Sequence, residues 1–161
     1  MRRAYYDCRY GQLHIHNAIP SGGGFDELTS VICLHGPGET GRVYMPLLLA
    51  LGEARSVYAP DLPGAGESDP ASGQTASDAA AHAVMDFVDS MRIRVFDLVV
   101  RGAVVAAALK LLDERGQSVR RIVVLGGDGL RSGPKLSILS TAEAASPQLQ
   151  ARVVELLGGG A

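Results

Sequence analysis

Two glycine-rich stretches hold several of the side chains in this chain that can do chemistry. The first is Leu34-His35-Gly36-Pro37-Gly38-Glu39-Thr40-Gly41; the second is Ala59-Pro60-Asp61-Leu62-Pro63-Gly64-Ala65-Gly66-Glu67-Ser68-Asp69. Glycines directly after an apolar run let the backbone turn sharply and aim N–H groups at a developing oxyanion. Gly36, Gly38 and Gly41 have the spacing of a phosphate-cradling G-x-G-x-x-G loop, but the His-Gly-Pro lead-in is unlike that fingerprint. Asp61 also runs into a second glycine turn, where a dinucleotide site would place a ribose-binding acid at a strand end. Nucleotide binding is therefore set aside, and no cofactor is expected.

Each remaining candidate has a bland and a chemical reading. His35 can polarise a ligand or brace its loop by hydrogen bonding, and bracing is preferred. Asp61 suits tying its own turn through backbone N–H groups. Ser68 offers a hydroxyl nucleophile, but no nearby feature supplies its base, so a turn role is preferred. Glu39 and Asp128 can pair at a pocket mouth or stand apart in solvent, and the second is preferred. His14 and His16 are two apart, so on a strand they share one face. That permits a metal, yet no further ligands at metal-site spacing accompany them, and no metal is expected.

The elements that must position these residues follow from hydrophobic pattern. Arg3 to Cys8 and Leu13 to Asn17 read as an antiparallel hairpin. Residues 21–24, Ser-Gly-Gly-Gly, read as a flexible loop. Val31 to Leu34, Ser56 to Ala59, Val95 to Val100 and Arg121 to Leu125 are short continuous apolar runs, as in strands covered on both faces. Met45, Leu48 and Leu49 mark a short helix. Val84, Phe87, Val88 and Met91 mark a longer one, with a capping start at Thr75-Ala76-Ser77-Asp78. Val105, Ala108, Leu109 and Leu112 give a third, stopped at Gly116. Ser146-Pro147 begins a last helix through Leu149, Val153 and Leu156, ended by glycines. The alternation predicts a three-layer α/β/α sandwich with a mostly parallel sheet.

Composition sets the outer limits. The chain has 161 residues, 47% hydrophobic and 20% charged, which suits one globular domain. A net charge of -2 argues against nucleic acid as a partner. The opening MRRAYYDCRYGQ lacks the apolar run of a secretory signal, and no segment approaches the length of a membrane span, so a cytoplasmic protein with no membrane partner is expected. Cys8 and Cys33 are too few for a disulfide framework, and Cys33 reads as a core side chain.

Taken in order, His35-Gly36-Pro37-Gly38, the 59–69 loop and Phe96-Asp97-Leu98-Val99-Val100 resemble the α/β-hydrolase superfamily, closest in flavour to its esterases, epoxide hydrolases and dehalogenases. The resemblance runs from about Tyr5 to Gly127. It implies a minimal, truncated α/β-hydrolase fold lacking C-terminal strands: one domain over 1–161, with a core over 4–127 and a helical segment over 140–158. It also implies an oxyanion-hole N–H on the His-Gly loop and a nucleophile elbow, G-x-S-x-G, after the strand ending at Val100.

At that elbow the sequence reads Val100-Arg101-Gly102-Ala103-Val104. The nucleophile position is Gly102, which has no attacking atom. Val100 and Val104 replace the flanking glycines, which predicts a relaxed turn. All four histidines precede Gly102, whereas the family order puts the catalytic histidine late. Asp128 can mimic the family's acid, but it then has no histidine to orient. Expected, then, is a protein of hydrolase ancestry without Ser-His-Asp catalysis. It retains a pocket for a small apolar or anionic ligand near His35, Gly36, Pro37, Gly38, Asp61, Arg101, Gly102 and Ala103, or an oligomeric role. The alternative is an active hydrolase of small esters using non-standard or inter-subunit residues. Arg101, at the nucleophile's flank, can hold a carboxylate or phosphate. The strand Arg121 to Leu125 is expected to be a bare sheet edge, favouring a homodimer or covered by the last helix.

Overall fold

The computed structural model describes residues 1–21 and 28–158. Most of the 21–24 loop and the glycines after 158 lie outside the described residues. Seven strands form one sheet: β1 (Arg2–Cys8), β2 (Gly11–Ala18), β3 (Ser30–Leu34), β4 (Val57–Pro60), β5 (Phe96–Arg101), β6 (Val119–Leu125) and β7 (Leu136–Leu139). Their spatial order is β1-β2-β4-β3-β5-β6-β7. β1 and β2 form the antiparallel hairpin, β2 joins β4 antiparallel, and every later pairing is parallel.

Alternation along the strands divides the core in two. Ile32, Leu34, Leu98, Val100, Ile122 and Val124 face α2 (Ala76–Met91) and α3 (Val105–Glu114). Val31, Cys33, Val57, Val99, Val123 and Leu125 face α1 (Met45–Leu51) and α5 (Leu149–Leu157), the latter through Val153 and Leu157. Both faces are covered, which is why these strands read as unbroken apolar runs. Thr75 caps α2 as its sequence predicts, its hydroxyl accepting from the Asp78 N–H at 3.1 Å. α5 starts at Leu149, two residues past Pro147, while the Ser146 hydroxyl accepts from the Gln148 N–H at 3.2 Å.

One expectation about the sheet is corrected. Arg121 to Leu125 is no edge, because β7 pairs with it in parallel register from Ile122–Leu136 to Leu125–Leu139. Leu136-Ser137-Ile138-Leu139 is a short strand soon after the Gly133-Pro134 break. The Lys135 ammonium fixes its start by donating to the carbonyls of Gly116 and Val119. After β7 come a single turn of helix, α4 (Thr141–Ala144), and α5, which covers a face of the sheet instead of its edge. Cys8 and Cys33 are free thiols on β1 and β3, with β2 and β4 between those strands. Burial pushes the Cys33 thiol up, which keeps it protonated and inert.

Candidate functional site

The loops at the carboxyl ends of β3, β4, β5 and β6 meet at one end of the sheet, where parallel α/β folds bind ligands. At the end of β5 the chain enters a tight helical turn, Gly102–Val104, before α3. Arg101 has φ -68° and ψ 145°, and Gly102 does not have a positive φ. The turn thus lacks the strained backbone of a nucleophile elbow. The glycine is required for another reason. A Cβ on Gly102 would sit 2.4 Å from the Gly126 carbonyl oxygen and 3.5 Å from the Gly127 Cα. The loop after β6 therefore fills the direction in which a side chain at 102 would point.

The His-Gly loop is equally committed. Pro37 has no N–H to give an oxyanion. The Gly36 N–H, 2.8 Å from Glu39 Oε1, is already donated to that carboxylate. His35 is buried and spends both ring nitrogens: Nδ1 donates to the Gly36 carbonyl at 2.9 Å, and Nε2 accepts from the Leu62 N–H at 2.9 Å. It braces the loop after β3 against the loop after β4. Asp61 ties its own turn to the end of the His-Gly loop, accepting from the N–H groups of Glu67 at 3.1 Å and Gly41 at 2.8 Å. The Ser68 hydroxyl donates to the Asp61 carbonyl and accepts from the His14 N–H at 2.8 Å, so no base reaches it.

Arg101 and Glu39 do meet, a pairing that the sequence pattern did not indicate. Arg101 Nε lies 3.3 Å from Glu39 Oε1, and Nη2 donates to Oε2 at 3.4 Å. The guanidinium also sits 5.8 Å from the centre of the Tyr44 ring, whose hydroxyl donates to the Leu34 carbonyl at 2.7 Å. Asp128 is elsewhere: its Oδ1 accepts from the Thr141 N–H at 2.7 Å and anchors the start of α4, so it forms no pair with Glu39. Ala103 is exposed beside this group. His35, Gly36, Pro37, Gly38, Leu62 and Val104 help line a cavity of about 230 Å³.

A second polar group lies toward β1. His14 and His16 share a face of β2, and the antiparallel pairing with β4 brings Asp61 beside them. One ligand-type atom from each lies within 4.8 Å of the others, which corrects the expectation that no ligand set accompanies the histidines. The donors are nevertheless spent. His14 Nδ1 donates to Asp61 Oδ2 at 2.8 Å, and His14 Nε2 accepts from Arg3 Nε at 3.1 Å. A metal on Nδ1 would need a proton on Nε2, facing that guanidinium, so the group fits a hydrogen-bonded lock better than a metal centre. His16 Nε2 stands 3.4 Å from Asp61 Oδ1. Burial pushes the His16 imidazole below its ordinary range, against the pull of Asp61. Burial by itself would raise the Asp61 carboxyl. The Glu67 N–H, His14 and the Gly41 N–H together outweigh it and hold that group below its usual value.

With this geometry in view, the sequence profile of the Alpha/beta hydrolase family matches residues 31–158, most of the chain. The chain belongs to that family. Solved structures agree on the fold. The epoxide hydrolase VrEH1 of Vigna radiata superposes with TM-score 0.68 at 18% identity, covering 91% of this chain and 45% of that one. The carboxylesterase CesB (YbfK) of Bacillus subtilis gives TM-score 0.67 at 23% identity, covering 83% and 46%. A variant of AqdC, which cleaves the ring of the Pseudomonas quinolone signal, gives TM-score 0.67 at 18% identity, covering 78% and 45%. This α/β-hydrolase chain spans less than half the length of the structures it matches. No curated protein matches the sequence. Among the described residues, no helix is long and apolar enough to cross a membrane.

Proposed function

We propose that this α/β-hydrolase-fold chain has no Ser-His-Asp catalysis and serves as a binding protein for a small molecule, seated in the cavity beside His35, Gly36 and Val104. One observation carries this: the nucleophile position is a glycine whose side-chain direction is filled by the Gly126 carbonyl. Two others support it. Pro37 has no N–H to offer, and the Gly36 N–H is held by Glu39, so the loop that would stabilise an oxyanion is committed elsewhere. Ser68 and Asp128 have structural partners and no base between them. Self-association, as part of the same proposal, uses the outer edge of β7. Sedimentation of the wild type tests that part, and a monomer mass removes it.

A short-chain aryl ester assay with a single-turnover readout tests the main proposal on the purified chain. The expected outcome is no acyl intermediate and no turnover above buffer. Turnover that survives repurification and falls on Asp128→Asn or His35→Gln overturns it.

A further inference from the structure

We infer that the end of β5 carries a receptor for a small carboxylate with a short apolar tail, and that Glu39 occupies it in the free protein. The inference rests on the binding role proposed above and names the ligand class of that site.

The geometry of Arg101 is the first ground. Three other arginines among the described residues make two-pronged contacts with a carboxylate at ordinary distances: Arg9 with Asp86 at 3.0 and 2.9 Å, Arg115 with Asp89 at 2.8 and 2.9 Å, and Arg120 with Asp97 at 2.9 and 2.6 Å. Arg101 makes a single hydrogen bond to Glu39, at 3.4 Å, and its Nε, buried from solvent, stands 3.3 Å from Glu39 Oε1 without the alignment of a hydrogen bond. A buried N–H left without an acceptor costs on the order of 1–3 kcal/mol. The Gly36 N–H three residues back holds Glu39 Oε1 in a position that does not meet this Nε–H head-on. A free carboxylate has no such tether. It can present both oxygens to the guanidinium fork, the arrangement that arginine and carboxylate favour. Glu39 thus stands in for the ligand's head group and fits the seat imperfectly.

The second ground is the cavity. Gly36 borders both features: a Cβ placed on it would lie 2.9 Å from Glu39 Oε1 and 3.6 Å from the Arg101 Cβ, and the same residue lines the 230 Å³ space. Pro37, Leu62, Pro63, Ala65, Ala76 and Val104 make the rest of that wall largely apolar. At about 30 Å³ per water, the space has room for roughly eight waters, enough to admit a butyl or phenyl group. Displacing Glu39 also frees the Gly36 N–H, a further donor for the incoming anion.

The test is a calorimetric titration at constant ionic strength with acetate, butyrate and benzoate, and with benzamide as the uncharged match. The wild type, Glu39→Gln, Arg101→Gln and Arg101→Lys are compared, each shown to be folded by its thermal transition. Benzoate is expected to bind Glu39→Gln about tenfold or more tightly than wild type, because the competing charge is gone. Both Arg101 variants should weaken it, Lys included, since a single ammonium cannot reproduce the fork. Benzamide should not bind, and acetate should bind more weakly than butyrate. Equal benzoate affinity in wild type and Arg101→Gln overturns the inference, as does absence of benzoate binding in every folded variant. Catalysis is read separately on the same samples by ester turnover. An active wild type overturns the binding-protein proposal whatever the titration gives, and an inactive one that ignores carboxylates overturns only this inference.

Discussion

Gly102 shows how one residue sets the limits of the site. Replacing it with serine restores the atom the family uses, but the new Cβ meets the Gly126 carbonyl oxygen at 2.4 Å. Backbone on both sides leaves little room to yield, and overpacking of this kind costs about 1–3 kcal/mol. Gly102→Ser should therefore lower the unfolding midpoint in denaturant and gain no esterase activity. His16 and Asp61 make the second residue-scale prediction. Both are held below their ordinary pKa, so the unfolded chain binds more protons than the folded one between the two values. The stability due to His16 is fully present above its unfolded value near 6.5 and is lost as pH falls through its depressed folded value. Asp61 adds a second loss below its own ordinary value of 3.8. Thermal melts from pH 8 to pH 3 should show the midpoint falling in that order, and His16→Gln should remove the upper part of the fall. A midpoint flat from pH 8 to pH 5 in the wild type would contradict the assignment.

At the scale of elements, the carboxyl end of α2 carries avoidable strain. Arg92 has φ 56° and ψ 37°, the left-handed conformation that glycine adopts freely and a side chain does not. Arg92→Gly should stabilise the protein by about 1 kcal/mol, seen as a rise of a few degrees in melting temperature. Strands β3 to β6 were legible because burial on both faces turns each into an apolar run, and Thr75 announced α2 through a local contact. β7 was missed because four residues, three of them only partly buried, carry too little periodic signal, although the Gly133-Pro134 break and the Leu136/Ile138 alternation pointed to it. The proposed loss of the nucleophile at Gly102 rests on the order of motifs. The closure of Gly102 by Gly126 and the meeting of Glu39 with Arg101 were not legible in the sequence. Those partners lie 24 and 62 residues apart, and only the packing of separate loops brings them together.

At the scale of the whole molecule, the sheet is anchored at the end opposite the candidate site by a buried ionic group. Asp97 is fully buried, gripped by both prongs of Arg120 and 3.6 Å from the buried Arg55. The same arginines hold the end of α5: Arg120 donates to the Leu157 carbonyl at 2.8 Å and Arg55 to the Gly158 carbonyl at 3.1 Å, joined by Arg121 at the Leu156 carbonyl at 2.9 Å. Cations at a helix carboxyl end meet its negative pole. Asp97→Asn strands two guanidinium groups and should cost about 3–5 kcal/mol in chemical denaturation. A loss under 1 kcal/mol would mean the group contributes little. The fold is shared with enzymes of different chemistry, so it sets an ancestry and leaves activity to the site. Fluorophosphonate labelling of the purified wild-type chain, followed by intact-mass measurement, puts the absence of an activated nucleophile to the most direct test. An unchanged mass is expected even at long exposure. Stoichiometric addition of one phosphonyl group, lost when a single residue is replaced, would contradict that absence.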